Sequence, residues 1–490
     1  MEVIDRNNHK VSVLEKCAYG AGDLACNLFW GISVVAAMFY TDYFGISAAA
    51  AGTMMMIVSY IDLIFDVFIG AAADRSNSKW GKFRPWILYG FVPFVVIGFF
   101  TFYSPDFADT YKIIYAYVTY LLFRIMYSVV NVPYGALLGV ISDDPKVRDE
   151  VSAYRNVGAQ IGNLVSYSMV FKFAGMCKEH FEVSASTGFS YVVFIYAIIA
   201  AILLFSCFYF TRERVTPVKE ENNNLMQDIK DIVTNKQWIC LAIAGISLIL
   251  FTSCHNTMVA YYAKYYIAQM VANPDSVDAI DFVISGRFLG IELDWELFYL
   301  LISGMGTILT ILGTMMIQPI VRKYGKKETW IACFALSSII TISLAFIPKE
   351  NLTTIILLNW FFSLIIGPTG YIMWSMYADV ADDAEVATGR RATGLIYSSA
   401  TISQKFGYAN ANSLPLFALA SIGFVANDIN MTAETQETVK NIFALVPLAG
   451  SILGIVALLF YNINEKKIEE NSRKLAEMKA NNNNSDVVAQ

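Results

Sequence analysis

The chain has 490 residues, of which 56% are hydrophobic and only 16% charged, with a net charge of −6. A soluble domain carries nearer a quarter charged residues, and here the apolar residues come in long runs. The composition therefore excludes a water-soluble enzyme or nucleic-acid-binding protein and points to an all-α polytopic membrane protein.

The polar segment 1–16 runs straight into the first apolar stretch, with no cleavable signal sequence. Apolar stretches follow at 17–41, 47–73, 85–104, 111–141, 154–176, 188–211, 238–272, 294–320, 329–348, 351–379, 391–424 and 438–463, which predicts twelve transmembrane helices. Of the 35 Lys and Arg, 26 fall in alternate connecting segments. Six lie on the other side: Lys112, Lys172, Lys178, Arg287, Lys349 and Lys440. This bias places both termini in the cytoplasm of a multi-pass cell (inner) membrane protein of bacterial type. The segment 212–237 separates an N-terminal bundle (17–211) from a C-terminal one (238–463), and 464–490 forms a charged, Asn-rich tail. The halves echo each other: GKFRPWI starts at Gly81 and GKKETWI at Gly325, each after a basic loop. A 6 + 6 layout of parallel repeats is the pattern of secondary transporters that bind substrate near mid-membrane.

The second stretch carries Asp62 and Asp66, one helical turn apart on one face. Two carboxylates in a poorly hydrated cavity do not both stay ionised unaided, so either one is protonated or a cation lies between them. Both outcomes describe a coupling site for H⁺ or Na⁺. The alternative is that the two acids are structural partners of buried bases. Arg124, Tyr127, Ser128 and Asn131 form a stripe in the fourth stretch, Arg155 opens the fifth, and Lys405 lies mid-way along the eleventh. These bases either neutralise the aspartates or hydrogen-bond a substrate, or else serve only as structural ion pairs or, for Arg124 and Arg155, snorkel to an interface. Lys264, at the outer end of the seventh stretch, is expected to snorkel to the interface. Asp379, Asp382, Asp383 and Glu385 precede Arg390 and Arg391 across a short loop, a candidate charged gate. No phosphate-binding loop, metal-ligand spacing or nucleophile–base arrangement stands out, so the chain is not expected to be an ATP-driven pump or an enzyme.

The segments YGAGDLACNLFW, FYTDYFGIS, DLIFDVFIGAAADRSNSKWGKFRPWIL, NVPYGAL, SAYRNVGAQIG, YADVADDAEVATGRRATGL and SQKFGYA resemble, in order and spacing, the glycoside–pentoside–hexuronide:cation symporters of the major facilitator superfamily. The resemblance implies a monomeric transporter in the lipid bilayer, with a sugar as its small-molecule partner. It assigns Asp62, Asp66 and Ser128 to cation coupling, and Tyr127, Arg155 and Lys405 to the sugar site. Asp379, Glu385 and Arg391 match a cytoplasmic charged lock. The family's galactoside aspartates fall here on Cys26 or Asn27 and on Asn131, which leaves an amide-lined pocket suited to other glycosides, pentosides or uronates. Phe65 and Val67 replace residues beside the cation site in some members, a departure that favours H⁺ over Na⁺ coupling. The alternative function is a facilitator or exporter of another small polar solute.

Overall fold

The computed structural model describes residues 11–76, 78–215, 230, 232–274, 276–278, 280–388 and 393–488. Grouped across short breaks, the helical segments fall in the order α1 (Val13–Val34, continued by Ala36–Tyr43), α2 (Ala48–Arg75), α3 (Arg84–Thr101), α4 (Asp109–Ile141) and α5 (Pro145–Asn163, continued by Met169–Phe181). Then come α6 (Ala185–Phe210), α7 (Lys236–Ile267), α8 (Trp295–Met316, continued by Gln318–Tyr324) and α9 (Lys326–Leu344). The last are α10 (Leu352–Thr388), α11 (Thr393–Ala411, continued by Leu414–Ser421), α12 (Ala433–Leu459) and a tail helix α13 (Glu465–Val488).

Among the described residues, nine helices are long and apolar enough to cross a membrane, or ten if the pair bent by 54° within α1 counts as one span. The helices that fail this test include α5 and α11. They carry Arg155 and Lys405, and their polar residues lower the mean hydropathy as expected of helices lining a polar path rather than facing lipid. Ser12, Ser47 and Ser184 cap α1, α2 and α6 by accepting hydrogen bonds from N–H groups of the first turns.

The chain divides into two compact units that cut across the sequence halves. The first comprises Met1–Glu220, Asn256–Gly304 and Asn412–Val439. The second comprises Glu221–His255, Met305–Ala411 and Lys440–Gln490. In the first unit α1 packs along α5 at very close range. A Cβ on Gly158 would sit 2.1 Å from the carbonyl oxygen of Gly20, so only glycine permits the crossing.

Each of the repeated Gly-Lys motifs turns at a glycine of positive φ ahead of a helix. Gly81 and Gly325 have φ of +108° and +92°, and each precedes a helix start. Glu213 accepts hydrogen bonds from the N–H groups of Lys82, Phe83 and Arg84, and so covers the exposed donors that open α3.

One element departs from the all-helical expectation. The segment after α7 is a three-stranded antiparallel sheet, β1 (Gln269–Ala272), β2 (Ile280–Phe288) and β3 (Ile291–Asp294). The run IDFVISGRF is rich in β-branched and aromatic residues. It turns through Leu289 and Gly290, both at positive φ, as a tight hairpin requires. The sheet is tied to the second part of α5 by ion pairs from Lys172 to Asp294 (2.5 Å) and from Lys178 to Asp278 (2.9 Å).

Candidate functional site

Three of the buried polar clusters in the first unit contain candidate site residues or correct an expectation about them. The first is built on α2 and α4. Asp62 is 1% exposed, because α2 turns this face onto α4. Arg124 donates from its guanidinium to Asp62 Oδ2 at 2.7 Å, and the Ser128 hydroxyl donates to Oδ1 at 3.1 Å. Arg124 and Ser128 are four residues apart on one helix, so both reach the same carboxylate. The Arg124 guanidinium lies 5.4 Å from the ring centre of Trp30, which in turn packs 5.5 Å from Tyr127. Asp66 follows one turn along α2 and is half-buried, and Asn131 continues the α4 stripe at intermediate exposure. Arg124 is thus buried and paired rather than extended toward an interface.

The second cluster is a consequence of the Gly20–Gly158 crossing. Asp23 lies three residues after Gly20, and Arg155 lies three residues before Gly158. The crossing brings Arg155 Nε to 3.5 Å from Asp23 Oδ1. The guanidinium also covers the ring of Tyr134 at 5.7 Å, and Tyr134 and Tyr19 stack at 4.6 Å. Asn27, four residues on from Asp23, donates to the Asp23 carbonyl at 2.8 Å and accepts from Asn163 Nδ2 at 3.1 Å. Asp23 escaped the sequence reading, although an acid within the apolar run YGAGDLAC carries the same signal as Asp62.

The third cluster corrects the expectation for Lys264. Its side chain is buried rather than snorkelling, and donates to Asp42 Oδ1 at 2.7 Å and to Asn427 Oδ1 at 2.8 Å. The Tyr265 hydroxyl also donates to Asp42. The ammonium lies 4.4 to 5.8 Å from the ring centres of Tyr43, Tyr265, Phe282 and Trp295. Asp42 and Lys264 both sit in π-helical turns, Phe39–Tyr43 and Tyr262–Ile267, whose widened winding turns them inward. No sequence spacing announces this cluster, because its members come from α1, α7 and the segment after α11.

In the second unit, Lys405 is half-buried on α11. Asp379 is held by Lys326 of α9 at 2.6 and 2.8 Å. Asp383 accepts from Lys467 and Asn471 of the tail helix. The acidic row expected to face Arg390 and Arg391 is thus partly engaged elsewhere, because α10 packs on α13 and ends beside the start of α9. Glu385 is half-buried, and Arg390 and Arg391 lie outside the described residues.

Apolar helices surrounding paired intramembrane charges define a polytopic membrane transporter rather than an enzyme. Residues 18–282 and 296–465 match the family described as MFS/sugar transport protein, and the chain belongs to it. The match is interrupted at 283–295, where the β2–β3 hairpin lies. The chain is 31% identical to the uncharacterized symporter YnaJ of Bacillus subtilis over 478 residues, covering 96% of each. It is 27% identical to the isoprimeverose transporter of Lactiplantibacillus pentosus, covering 92% of this chain and 89% of that one. It is also 27% identical to a glucuronide carrier protein homolog of Escherichia coli, covering 94% and 95%. Among solved structures, it matches the nucleoside transporter NupG with a TM-score of 0.63 at 13% identity, over 92% of this chain and 100% of the other. It matches a bacterial homolog of the lysosomal transporter Spinster at 0.66 and 12%, over 94% and 97%. These likenesses establish the transporter fold.

Proposed function

We propose that the protein is a cation-coupled symporter that accumulates a neutral sugar glycoside or pentoside. The observation that carries this reading is the buried Asp62 carboxylate, held by Arg124 and Ser128 in the middle of a membrane span with Asp66 one turn away. A buried carboxylate needs a countercharge, and Arg124 is that countercharge in this conformation. A proton or Na⁺ arriving at Asp62 and Asp66 competes with Arg124 for the same oxygens. The released guanidinium alters the environment of Trp30 and Tyr127 and links cation binding to the sugar site. Linkage makes the effect reciprocal: cation raises sugar affinity by the factor by which sugar raises cation affinity.

The sugar contacts assigned here are Asn27, Tyr127, Asn131 and Arg155, with Asp23 added from the structure and Lys405 as a candidate from the second unit. Because Asp23 already neutralises Arg155, a uronate gains little there. A hydroxyl pair donating to Asp23 and accepting from Arg155 is the better match. The protein acts as a monomer, with both termini cytoplasmic in a bacterial-type inner membrane, and Asp379, Glu385 and Arg391 act as gating charges. The relative named an isoprimeverose transporter supports a glycoside or pentoside cargo.

The test is gradient-driven uptake in proteoliposomes, with Asp62→Asn and Asp66→Asn, under imposed H⁺ or Na⁺ gradients. Uphill accumulation that survives both changes removes the coupling assignment. A xyloside should compete with the transported sugar and a glucuronide should not. The reverse order removes the neutral-sugar assignment.

A further inference from the structure

α1 and α5 stay in contact beyond the Asp23–Arg155 pair, and the next layer of their seam is built from two amides, Asn27 and Asn163. Gly162 makes this possible. A Cβ there would lie 2.7 Å from the Leu24 carbonyl oxygen and 2.9 Å from Asn27 Cβ, so only glycine lets α5 close on Asn27. The helix changes its winding at this level. A π-helical turn, Leu164–Ser168, begins directly after Asn163, and its Ser166 hydroxyl donates to the Asn27 carbonyl oxygen at 3.0 Å. Such widened turns displace side chains from the regular helical face and recur at functional sites.

The backbone dictates which way both amides point. Asn27 Nδ2 donates to the Asp23 carbonyl oxygen at 2.8 Å, and that oxygen can only accept, so Asn27 Oδ1 is left for α5. It takes its hydrogen bond from Asn163 Nδ2 at 3.1 Å. Asn163 is thereby fixed with its own carbonyl branch turned away from Asn27, and its Oδ1 has no partner among the described residues. Asn27 and Asn163 are both partly exposed. Gln160 and Asn156, three and seven residues before Asn163, are exposed on the same face of α5. Amides in a row on one face of a membrane helix line a hydrated path rather than lipid. An oriented, open acceptor on that path is a place for a hydroxyl donor.

The spacing fits one sugar ring. Asn27 lies four residues beyond Asp23, about 6 Å along α1 at the helical rise. That is close to the separation of hydroxyls on opposite edges of a pyranose. A ring with one edge on Asp23 and Arg155 therefore brings its far hydroxyl to the amide pair.

We propose that Asn163 is a further sugar-contacting residue that determines specificity. Its Oδ1 accepts a hydrogen bond from a single ring hydroxyl, the one farthest from the Asp23–Arg155 pair, while Asn27 holds its amide in place. The assignment rests on the neutral-sugar reading above and adds the orientation of the ring to it.

Calorimetric binding of methyl β-xyloside and its three monodeoxy analogues to the full-length protein in nanodiscs tests it. The wild type should bind each analogue about tenfold more weakly than the parent sugar, the effect of one lost hydrogen bond in a site built for it. Asn163→Ala should bind the parent about tenfold more weakly and no longer distinguish it from one of the three analogues, while the penalties for the other two persist. Asn163→Ser, whose hydroxyl is too short to span Asn27 and a ligand, carries the same comparison if Asn163→Ala does not fold. Equal weakening of all four sugars means that Asn163 only holds the α1–α5 seam and overturns the assignment, as does a variant with wild-type affinities. Binding of no xyloside by the wild type overturns the neutral-sugar reading and this assignment with it. Wild-type binding with unaltered discrimination in the variant overturns this assignment alone.

Discussion

Two of the buried acid–base pairs in the first unit, Asp62–Arg124 and Asp42–Lys264, are built in opposite ways. Asp62–Arg124 joins α2 to α4, 62 residues apart, with Ser128 as a second donor on the same stripe. Asp42–Lys264 joins the end of α1 to the end of α7, 222 residues apart, within a shell of four aromatic rings and Asn427. The first pair is open to competition: a cation that replaces Arg124 leaves a guanidinium with the Trp30 face to rest against. The second is closed: Asp42 Oδ1 accepts from Lys264 and Tyr265, and Oδ2 accepts from Thr41. Under the proposed coupling, the same chemistry serves as an exchangeable site in one place and as a clasp in the other. The clasp joins α1 of the first sequence half to elements of the second.

The largest expected effect separates these roles. Asp62→Asn should reduce uphill sugar uptake to background while counterflow exchange persists. The double change Asp62→Asn/Arg124→Gln should recover the stability lost in the single variant, about 3–5 kcal/mol for an orphaned buried charge, without recovering uphill uptake. Recovery of accumulation in the double variant would make this pair purely structural.

Lys264→Met should be the next largest, costing a similar amount of stability because Asp42 is left charged and enclosed. Here Lys264→Met/Asp42→Asn should restore both thermal stability and the cation dependence of transport. If stability returns but cation dependence does not, the clasp is also part of the coupling machinery and the contrast collapses.

Arg155→Lys keeps the charge but loses the forked guanidinium donors beside Asp23 and over Tyr134, and should weaken apparent sugar affinity about tenfold with coupling ratio intact. An altered coupling ratio, measured by ion and sugar flux together, would move Arg155 from the sugar cluster to the cation site.

The smallest effect compares the repeated turns. Gly81→Ala should lower stability by about 1 kcal/mol or more, since it adds strain at positive φ and drives a Cβ to 2.4 Å from the Glu213 carboxyl carbon. Gly325→Ala should cost less, because the nearest atom there is the mobile tip of Glu328, a difference readable as the shift in thermal midpoint.

The site was legible in unequal measure. Asp62, Ser128 and Arg124 stand out in sequence because helical periodicity places them on apolar helices where polar residues are costly. Arg155 stood out as a base opening the fifth stretch and took its sugar role from the family resemblance, Asn27 entered through the resemblance alone, and the structure adds Asp23 as the ion-pair partner of Arg155. Lys264 was misread because snorkelling is the usual fate of a lysine near a span end. Two π-helical turns redirected it and its partner inward, and nothing in the local pattern marks those turns. The sheet at 269–294 was passed over because a short alternating run between long helices is ordinarily a loop.

Local pattern settles a good deal for this chain: a polytopic helical membrane protein, the echo of Gly81 at Gly325, and the acids that must find a countercharge. Hydrophobic runs and the cost of burying charge are properties of a residue and its near neighbours, so they can be read along the chain. Which base meets which acid is decided in three dimensions. The Gly20–Gly158 crossing selects Arg155 for Asp23, the packing of α2 on α4 selects Arg124 for Asp62, and the π-helical turns select Lys264 for Asp42. Ion pairing depends on distances of a few ångströms between distant segments, and only the packed helices set those distances.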